Sequence, residues 1–343
     1  MQELPQCATY QPSCRQSDKY VEEALELSAF RRVEKRYKLF RYDRRTRRRM
    51  QLPPTDFSDV VDFSAIEANT AVNRALISEV ECFDGVQRVE CYTLKAVPGL
   101  FVFPSYVSEA DQQELCRDAI LKYANSEYHP NHLSMHASEP RQTARYEPPM
   151  RWATLGFSYQ WSTKSYKRDC YSSFPAKLRD YMKRIASLCN GPVSYQPQTS
   201  IVNYFPVGTM MMAHQDLSEE TLDQPLISIS LGCSCVFLIG TTSREDAPHA
   251  IWLRSGDVLV MCGESRMAFH GVPRVMDDCP RYLTLSETVR DSCDGLDGSE
   301  GDYHEDKVHH ETEEVYWRRR MQHLRININA RQVYAEDLTF LFD

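Results

Sequence analysis

Between Arg151 and Val275 short apolar runs recur about every ten residues, each ended by Gly, Pro, Ser or Asp. The runs are RWATLGFSYQW, SIVNYFP, LISISLG, CVFLIG, AIWLR, DVLVMC and the segment around Phe269, all rich in β-branched or aromatic residues. LISISL has a period of two: Ile227, Ile229 and Leu231 share one face, while Ser228 and Ser230 take the other. Many short strands at this spacing predict a mainly β domain, a sandwich or jelly roll, with flanking helices. One helix is expected to start at Ser108, because SEADQQELCRDAILKY places Asp111 three residues after a capping serine. Another is expected over 175–188. A last strand, HLRININARQVY, follows TEEVYWRRRMQH.

The pattern changes at about Cys91. Residues 1–90 read as an N-terminal extension, with a helix-like stretch near 21–40, a basic segment at 31–49, a Pro-containing link (QLPPTDFSD) and a weak helical pattern over 64–78. Residues 91–343 read as the main domain. Within it, 290–306 (RDSCDGLDGSEGDYHED) holds seven acidic residues, three glycines and almost nothing apolar, so a mobile acidic insert is expected.

Composition narrows the class. With 42% hydrophobic and 26% charged residues the chain reads as a soluble globular protein. No run approaches the ~18–20 apolar residues of a membrane span, so no membrane partner is expected. Acidic residues in the first thirty positions argue against a secretory signal and a transit peptide. The expectation is an intracellular monomer, in nucleus, cytoplasm or both, with the mitochondrion left open. Twelve cysteines without a CxxC pair read as buried thiols. The net charge of −8 is unevenly spread: 31–49 carries eleven Lys or Arg against Glu34 and Asp43, a local +9, which leaves −17 elsewhere. Such a block grips phosphates, serves as an import signal, or is a solvated helix face.

Candidate chemistry lies in two places. His214 and Asp216 stand two apart in a strand-like context, so both side chains can meet one ion. Phe269-His270-Gly271 offers a third ligand from another strand. Two histidines and a carboxylate leave open positions, as non-haem Fe(II) needs for a cosubstrate and O₂. An HxD pair alone is a weak signal. The second place is LRININARQ, where Arg325, Asn327, Asn329 and Arg331 share one face, with Ile326, Ile328 and Ala330 on the other. Buried guanidinium groups are costly unless they meet anions in good geometry. A ligand with two carboxylates answers that need; a wet edge strand is the alternative.

Taken together, these residues resemble the AlkB family of Fe(II)- and 2-oxoglutarate-dependent dioxygenases. The resemblance rests on His214, Asp216 and His270, on Arg325-Ile326-Asn327…Arg331, on NYFPVGTMMMAHQD and on SGDVLVMCGESRMAFHGVPRV. Fifty-six residues separate the two histidines, close to the family's spacing. RWATLGFSYQW, REDAPHAIWLRSGD and the long insert before Arg325 are similar to the homologue-one branch. The resemblance covers most of 91–343. It implies a double-stranded β-helix (jelly roll) dioxygenase core with Fe(II) on His214, Asp216 and His270. It also implies 2-oxoglutarate bound among Asn203, Tyr204, Phe205, Arg325, Asn327 and Arg331, with O₂ as second cosubstrate. Phe157, Ser158, Tyr159 and Trp161 would lie by the substrate; on the strand rule Phe157, Tyr159 and Trp161 share a face, where they either stack on a base or pack the outer sheet.

The implied activity is oxidative demethylation of N-methylated nucleobases in tRNA or DNA, with release of formaldehyde, succinate and CO₂. The alternatives are a histone or other protein demethylase and a catalytically silent nucleic-acid-binding module. One departure stands out. The family usually has Tyr two residues after the Asn, and here Asn203 is followed by Tyr204 and Phe205. Either one phenolic hydrogen bond to the cosubstrate is missing, or Tyr204 replaces it through a local bulge.

Overall fold

The computed structural model describes residues 27–43, 45–85, 87–136, 150–189, 194–285 and 311–342. The acidic segment 290–306 and the chain before residue 27 lie outside them. The strands are β1 (Phe40–Asp43), β2 (Arg48–Gln51), β3 (Ile77–Glu79), β4 (Cys82–Phe83), β5 (Arg88–Val89), β6 (Tyr92–Leu94), β7 (Leu100–Phe103), β8 (Trp152–Gln160) and β9 (Ser165–Tyr171). They continue with β10 (Thr199–Pro206), β11 (Met211–His214), β12 (Leu226–Gly232), β13 (Cys235–Ile239), β14 (His249–Leu253), β15 (Val258–Met261), β16 (His270–Val275) and β17 (Leu324–Arg331). The α-helices are α1 (Ala29–Tyr37), α2 (Ala71–Leu76), α3 (Glu109–Asp118), α4 (His132–His136), α5 (Ala176–Leu188), α6 (Gly263–Arg266) and α7 (Glu313–Met321).

Nine strands form one antiparallel sheet in the order β3-β6-β7-β15-β12-β17-β10-β8-β9; four form a second in the order β11-β16-β13-β14. The expected mainly β jelly-roll core with flanking helices is therefore present. Alternation along the central strands builds its layers. Ile227, Ile229 and Leu231 of β12, with Ile326, Ile328 and Ala330 of β17, turn to an apolar layer shared with α3, α5 and α7. The opposite faces look toward the smaller sheet, where Leu226, Leu259 and Met261 meet Phe237, Leu253 and Val272. The capping serine is confirmed: Ser108 accepts a hydrogen bond from the Asp111 amide at the start of α3. Thr312 caps α7 in the same way, a helix that the sequence reading passed over.

Residues before Cys91 are woven into this core. β3 pairs with β6 at the edge of the larger sheet. Val61 bridges to Ile251 beside β14, and Asp62 forms a two-pronged ion pair with Arg254. α1 covers the outer face of the smaller sheet, with Phe30 and Tyr37 packed on Val236, Leu238 and Ala250. Its Glu34, 1% exposed, accepts a hydrogen bond from the Ala213 amide at 2.9 Å, while Arg244 donates to the Ala213 carbonyl at 3.0 Å. The outer face of β13 and β14 is apolar and needs a cover, which explains the packing. The weak pattern over 64–78 resolves into a 3-10 turn, α2 and the start of β3.

The nine described cysteines are free thiols, six of them buried. Among the described residues no helix is long and apolar enough to cross a membrane.

β8 departs from simple alternation. Gly156 has φ +67°, and the pairing with β9 shifts register between Phe157 and Tyr159. A Cβ at Gly156 would lie 2.2 Å from the Gln198 carbonyl oxygen. Left-handed strain alone costs about 1–3 kcal/mol, and backbone must also move. Gly156→Ala is expected to destabilise by at least that amount in a thermal or urea melt; a melt like the parent's would show that the bend tolerates a side chain.

Candidate active site

His214 closes β11 and His270 opens β16, and the two stand directly opposite in the pairing of those strands. Their rings lie 4.4 Å apart between centroids. Asp216 reaches them from the loop after β11, so its approach owes more to that loop than to strand alternation. One ligand atom from each of the three lies within 4.8 Å of the other two. The carboxylate oxygens stand 3.9 Å from Nε2 of His214 and 3.9 Å from Nε2 of His270.

The protonation states suit a cation. Nδ1 of His214 is 3.0 Å from the Met212 carbonyl oxygen, and Nδ1 of His270 is 3.0 Å from that of Ala268. A carbonyl only accepts, so each Nδ1 carries a proton, and it is Nε2 that turns to the cluster. Burial, joined by His214, pushes His270 down to about 4, against the pull of Asp216. Burial opposes the charge of Asp216. Arg331 first, then His270, His214 and Arg266, outweigh it and hold the carboxyl well below the usual carboxylate range. Neutral imidazoles and an ionised carboxylate are the forms that bind metal.

Beside the cluster a cavity opens between the two sheets, lined by Asn203, Phe205, Ser228, Arg325, Asn327 and Asn329 on one side and by His214 and His270 on the other. Arg325 is 1% exposed and donates through Nη2 to Ser230 at 2.9 Å. Its Nε and Nη1 are buried without a partner. Two orphan donors on a buried cation are costly, and they fit a carboxylate from a bound ligand. Asn327 donates to Ser228 at 2.7 Å and to the Ile229 carbonyl at 3.2 Å. Ser228 and Ser230, the polar face of LISISL, thus orient the cavity's polar wall.

Arg331 sits beside the cluster and is tied to it. It stands behind the cluster, binding Asp216 Oδ2 at 2.9 Å and Tyr166 at 3.2 Å, with Nε 3.3 Å from Glu219. Arg266, 1% exposed, completes the group, with bonds to Glu219 at 2.9 Å and to the Asp216 carbonyl at 2.6 Å. Two buried cations face the buried Glu219 and the half-buried Asp216 here. Glu219, Arg266 and Tyr166 escaped the sequence reading; single charged residues in loops give no local signal of their partners.

Several expected site residues do not reach the cavity. Tyr204 points to the helix layer, where its hydroxyl donates to the Ala119 carbonyl at 2.6 Å. β10 pairs with β17 in unbroken register from Thr199 to Pro206, so no bulge turns Tyr204 inward. Phe205 holds the cavity position, opposite Arg325. Phe157 is fully buried against Tyr334 and Phe342, out of reach of a substrate. Ser158 is buried too, accepting from Thr154 at 3.2 Å. The register shift after Gly156 separates these two from Tyr159. Tyr159 and Trp161 pack edge to face at 4.8 Å, and Tyr159 also meets Tyr166 at 5.2 Å. Trp161 is 40% exposed.

These placements separate the outcomes of two substitutions. Tyr204→Phe removes a buried hydrogen bond and is expected to cost about 1–3 kcal/mol of stability with no change in the KM for 2-oxoglutarate. Arg325→Leu is expected to raise that KM more than about tenfold, because charge-assisted bonds contribute ~1.5–3 kcal/mol. Steady-state kinetics with thermal melts check both; a raised KM in Tyr204→Phe would return that phenol to the cavity.

The pattern of the 2OG-Fe(II) oxygenase superfamily matches residues 99–331. The chain is 28% identical over 352 residues to the DNA N(6)-methyladenine demethylase ALKBH1A of Arabidopsis thaliana, which spans 90% of this chain and 96% of that relative. It is 30% identical over 278 residues to the nucleic acid dioxygenase ALKBH1 of Homo sapiens, spanning 70% and 69%. To the tRNA demethylase abh1 of Schizosaccharomyces pombe it is 41% identical over 144 residues, spanning 41% and 48%. The solved structure of OsALKBH1 aligns at a TM-score of 0.48 and 20% identity, over 71% of this chain and 99% of that one. With a match that runs through both sheets and the cavity between them, the chain belongs to the 2OG-Fe(II) oxygenase superfamily.

Proposed function

We propose that this protein is an oxidative demethylase of N-methylated bases in nucleic acid, tRNA or DNA. One observation carries the reading: both histidines of the His–Asp–His cluster and a buried guanidinium with two unmatched donors border the same cavity. In this reading His214, Asp216 and His270 hold Fe(II). Arg331 occupies Oδ2 of Asp216 and so leaves Oδ1 for the cation. Arg325 takes the distal carboxylate of 2-oxoglutarate through Nε and Nη1, and Asn203 and Asn327 complete the polar wall. Once bound, the iron supplies oxidising power drawn from O₂ and 2-oxoglutarate, and the products are succinate, CO₂ and, from the methyl group, formaldehyde.

The chain's own work is placement. The Nδ1–H bonds to Met212 and Ala268 fix both imidazoles. Phe205, Phe237 and Val272 give the cavity apolar walls. A methylated base in a folded polymer must be splayed out to reach such a site. Tyr159, tied to Ser218 and packed on Tyr166, and the exposed Trp161 offer it a stacking surface. Two relatives are named for removing methyl groups from DNA and from tRNA, which supports the substrate class.

Mass spectrometry of nucleosides from methylated tRNA and DNA, incubated with protein, Fe(II) and 2-oxoglutarate, tests the proposal. Loss of a methylated base with matching succinate is expected, and both should vanish in Asp216→Ala. Formaldehyde from a histone peptide, with none from either nucleic acid, would sink it. Tyr159→Ala is expected to keep uncoupled succinate formation and lose demethylation about 5- to 150-fold, the equivalent of ~1–3 kcal/mol of stacking. Equal loss of the two rates would assign the ring to the fold.

A further inference from the structure

We propose that the ribbon of β1 and β2 grips the phosphate backbone of the nucleic acid whose base enters the cavity, an inference that rests on the substrate class proposed above. The basic segment 31–49 divides in two. Its helical half is partly neutralised by the fold: Arg31 pairs with buried Glu34, and Arg36 lies 2.6 Å from Asp59. The ribbon half differs. Arg41, Arg47 and Arg49 are exposed and have no ion pair among the described residues. The two strands pair only with each other, so their outer surface is open.

The ribbon's root gives this charge its meaning. Phe40 packs over Gly208, where an added Cβ would lie 2.9 Å from the ring. Gly208 sits in the turn between β10, which carries Asn203 and Phe205, and β11, which ends on His214. The preceding helix is tied to β11 through Glu34 and the Ala213 amide. Arg41 and Arg49, on opposite faces of the ribbon, therefore stand on a base fixed at the turn between two strands of the active cavity, with the Arg49 guanidinium over the Phe40 ring at 6.0 Å. Outside 31–49 the chain carries −17, so positive charge is concentrated in this segment and a polyanion is drawn to it. Four residues of strand extend about 13 Å, long enough to pass several phosphates at ~3.4 Å each. A two-stranded ribbon also fits a nucleic-acid groove, and guanidinium groups bind phosphate oxygens in pairs.

The test uses the full chain with Arg41→Gln, Arg47→Gln and Arg49→Gln combined, and unmethylated tRNA as probe. Fluorescence anisotropy across a KCl series gives affinity and its salt dependence. Each phosphate contact contributes ~0.7–0.9 to the slope of log K against log salt. The expected result is a slope shallower by about 2–3 and affinity near 0.15 M salt lower by on the order of tenfold. Replacing the same three by Lys should keep most of the slope, since point charges suffice for counterion release. A loss shared by the Gln and Lys variants would mark a structural role and overturn the proposal.

Unchanged slopes, or a parent chain without salt-dependent tRNA binding, would also overturn it. So would loss of binding to phosphatidylserine vesicles in the Gln variant while tRNA binding stays intact. The probe carries no methyl group, so the two readings fail separately. A parent that removes no methyl yet shows the slope change sinks the demethylase and leaves the ribbon.

Discussion

Burying a guanidinium is costly unless anions meet it, and β17 buries two. Arg331 meets its anions within the fold, Asp216 through a hydrogen bond and Glu219 through an ion pair 3.3 Å from Nε, a nitrogen that itself makes no hydrogen bond. Arg325 is not: one nitrogen reaches Ser230 and two have no partner. A single strand thus carries both a settled and an unsettled cation, six residues apart on the same face. The first fixes the charge of the carboxylate in the His–Asp–His cluster. The second leaves the cavity electropositive and incomplete until an anion enters. Stability and ligand demand are separated along one edge of backbone.

That arrangement works only because β17 lies between β12 and β10 in the middle of the larger sheet. Its Ile326, Ile328 and Ala330 are locked into the helix layer, which forces Arg325, Asn327 and Asn329 toward the smaller sheet. The smaller sheet contributes the histidines from β11 and β16. Metal-binding candidates and dicarboxylate-binding candidates therefore come from opposite walls of one gap, and the packing of the two sheets sets the distance between them.

Much of this could be read from local periodicity. Alternation of Ile and Ser in β12, and of Ile and Arg or Asn in β17, specified the two faces because a strand's parity needs no long-range information. The same rule, applied from Asn203, sends Phe205 into the cavity and Tyr204 away from it. It failed in FSYQW, where the backbone at Gly156 takes a left-handed turn and the pairing slips, so Phe157 went into the core. Asp216 was found on a rule that only partly applies, since β11 ends at His214. The buried ring of Arg331, Glu219, Arg266 and Tyr166 was beyond reach, because its members come from four separate stretches that only tertiary structure brings together. The helix within 21–40 was legible as a helix, but its seat on the smaller sheet was hidden for the same reason.

The bonds from Glu34 and Arg244 to Ala213 bear on how this protein can be cut. Both main-chain polar groups of the residue before His214 are held by side chains, and one of them comes from α1. A fragment trimmed to residues 99–331 keeps all three members of the His–Asp–His cluster. It also strips the cover from Val236, Leu238 and Ala250 and leaves the Ala213 amide without its acceptor. The cover over the smaller sheet thus comes from outside the stretch that matches the family, and a cut downstream of Phe30 bares that face.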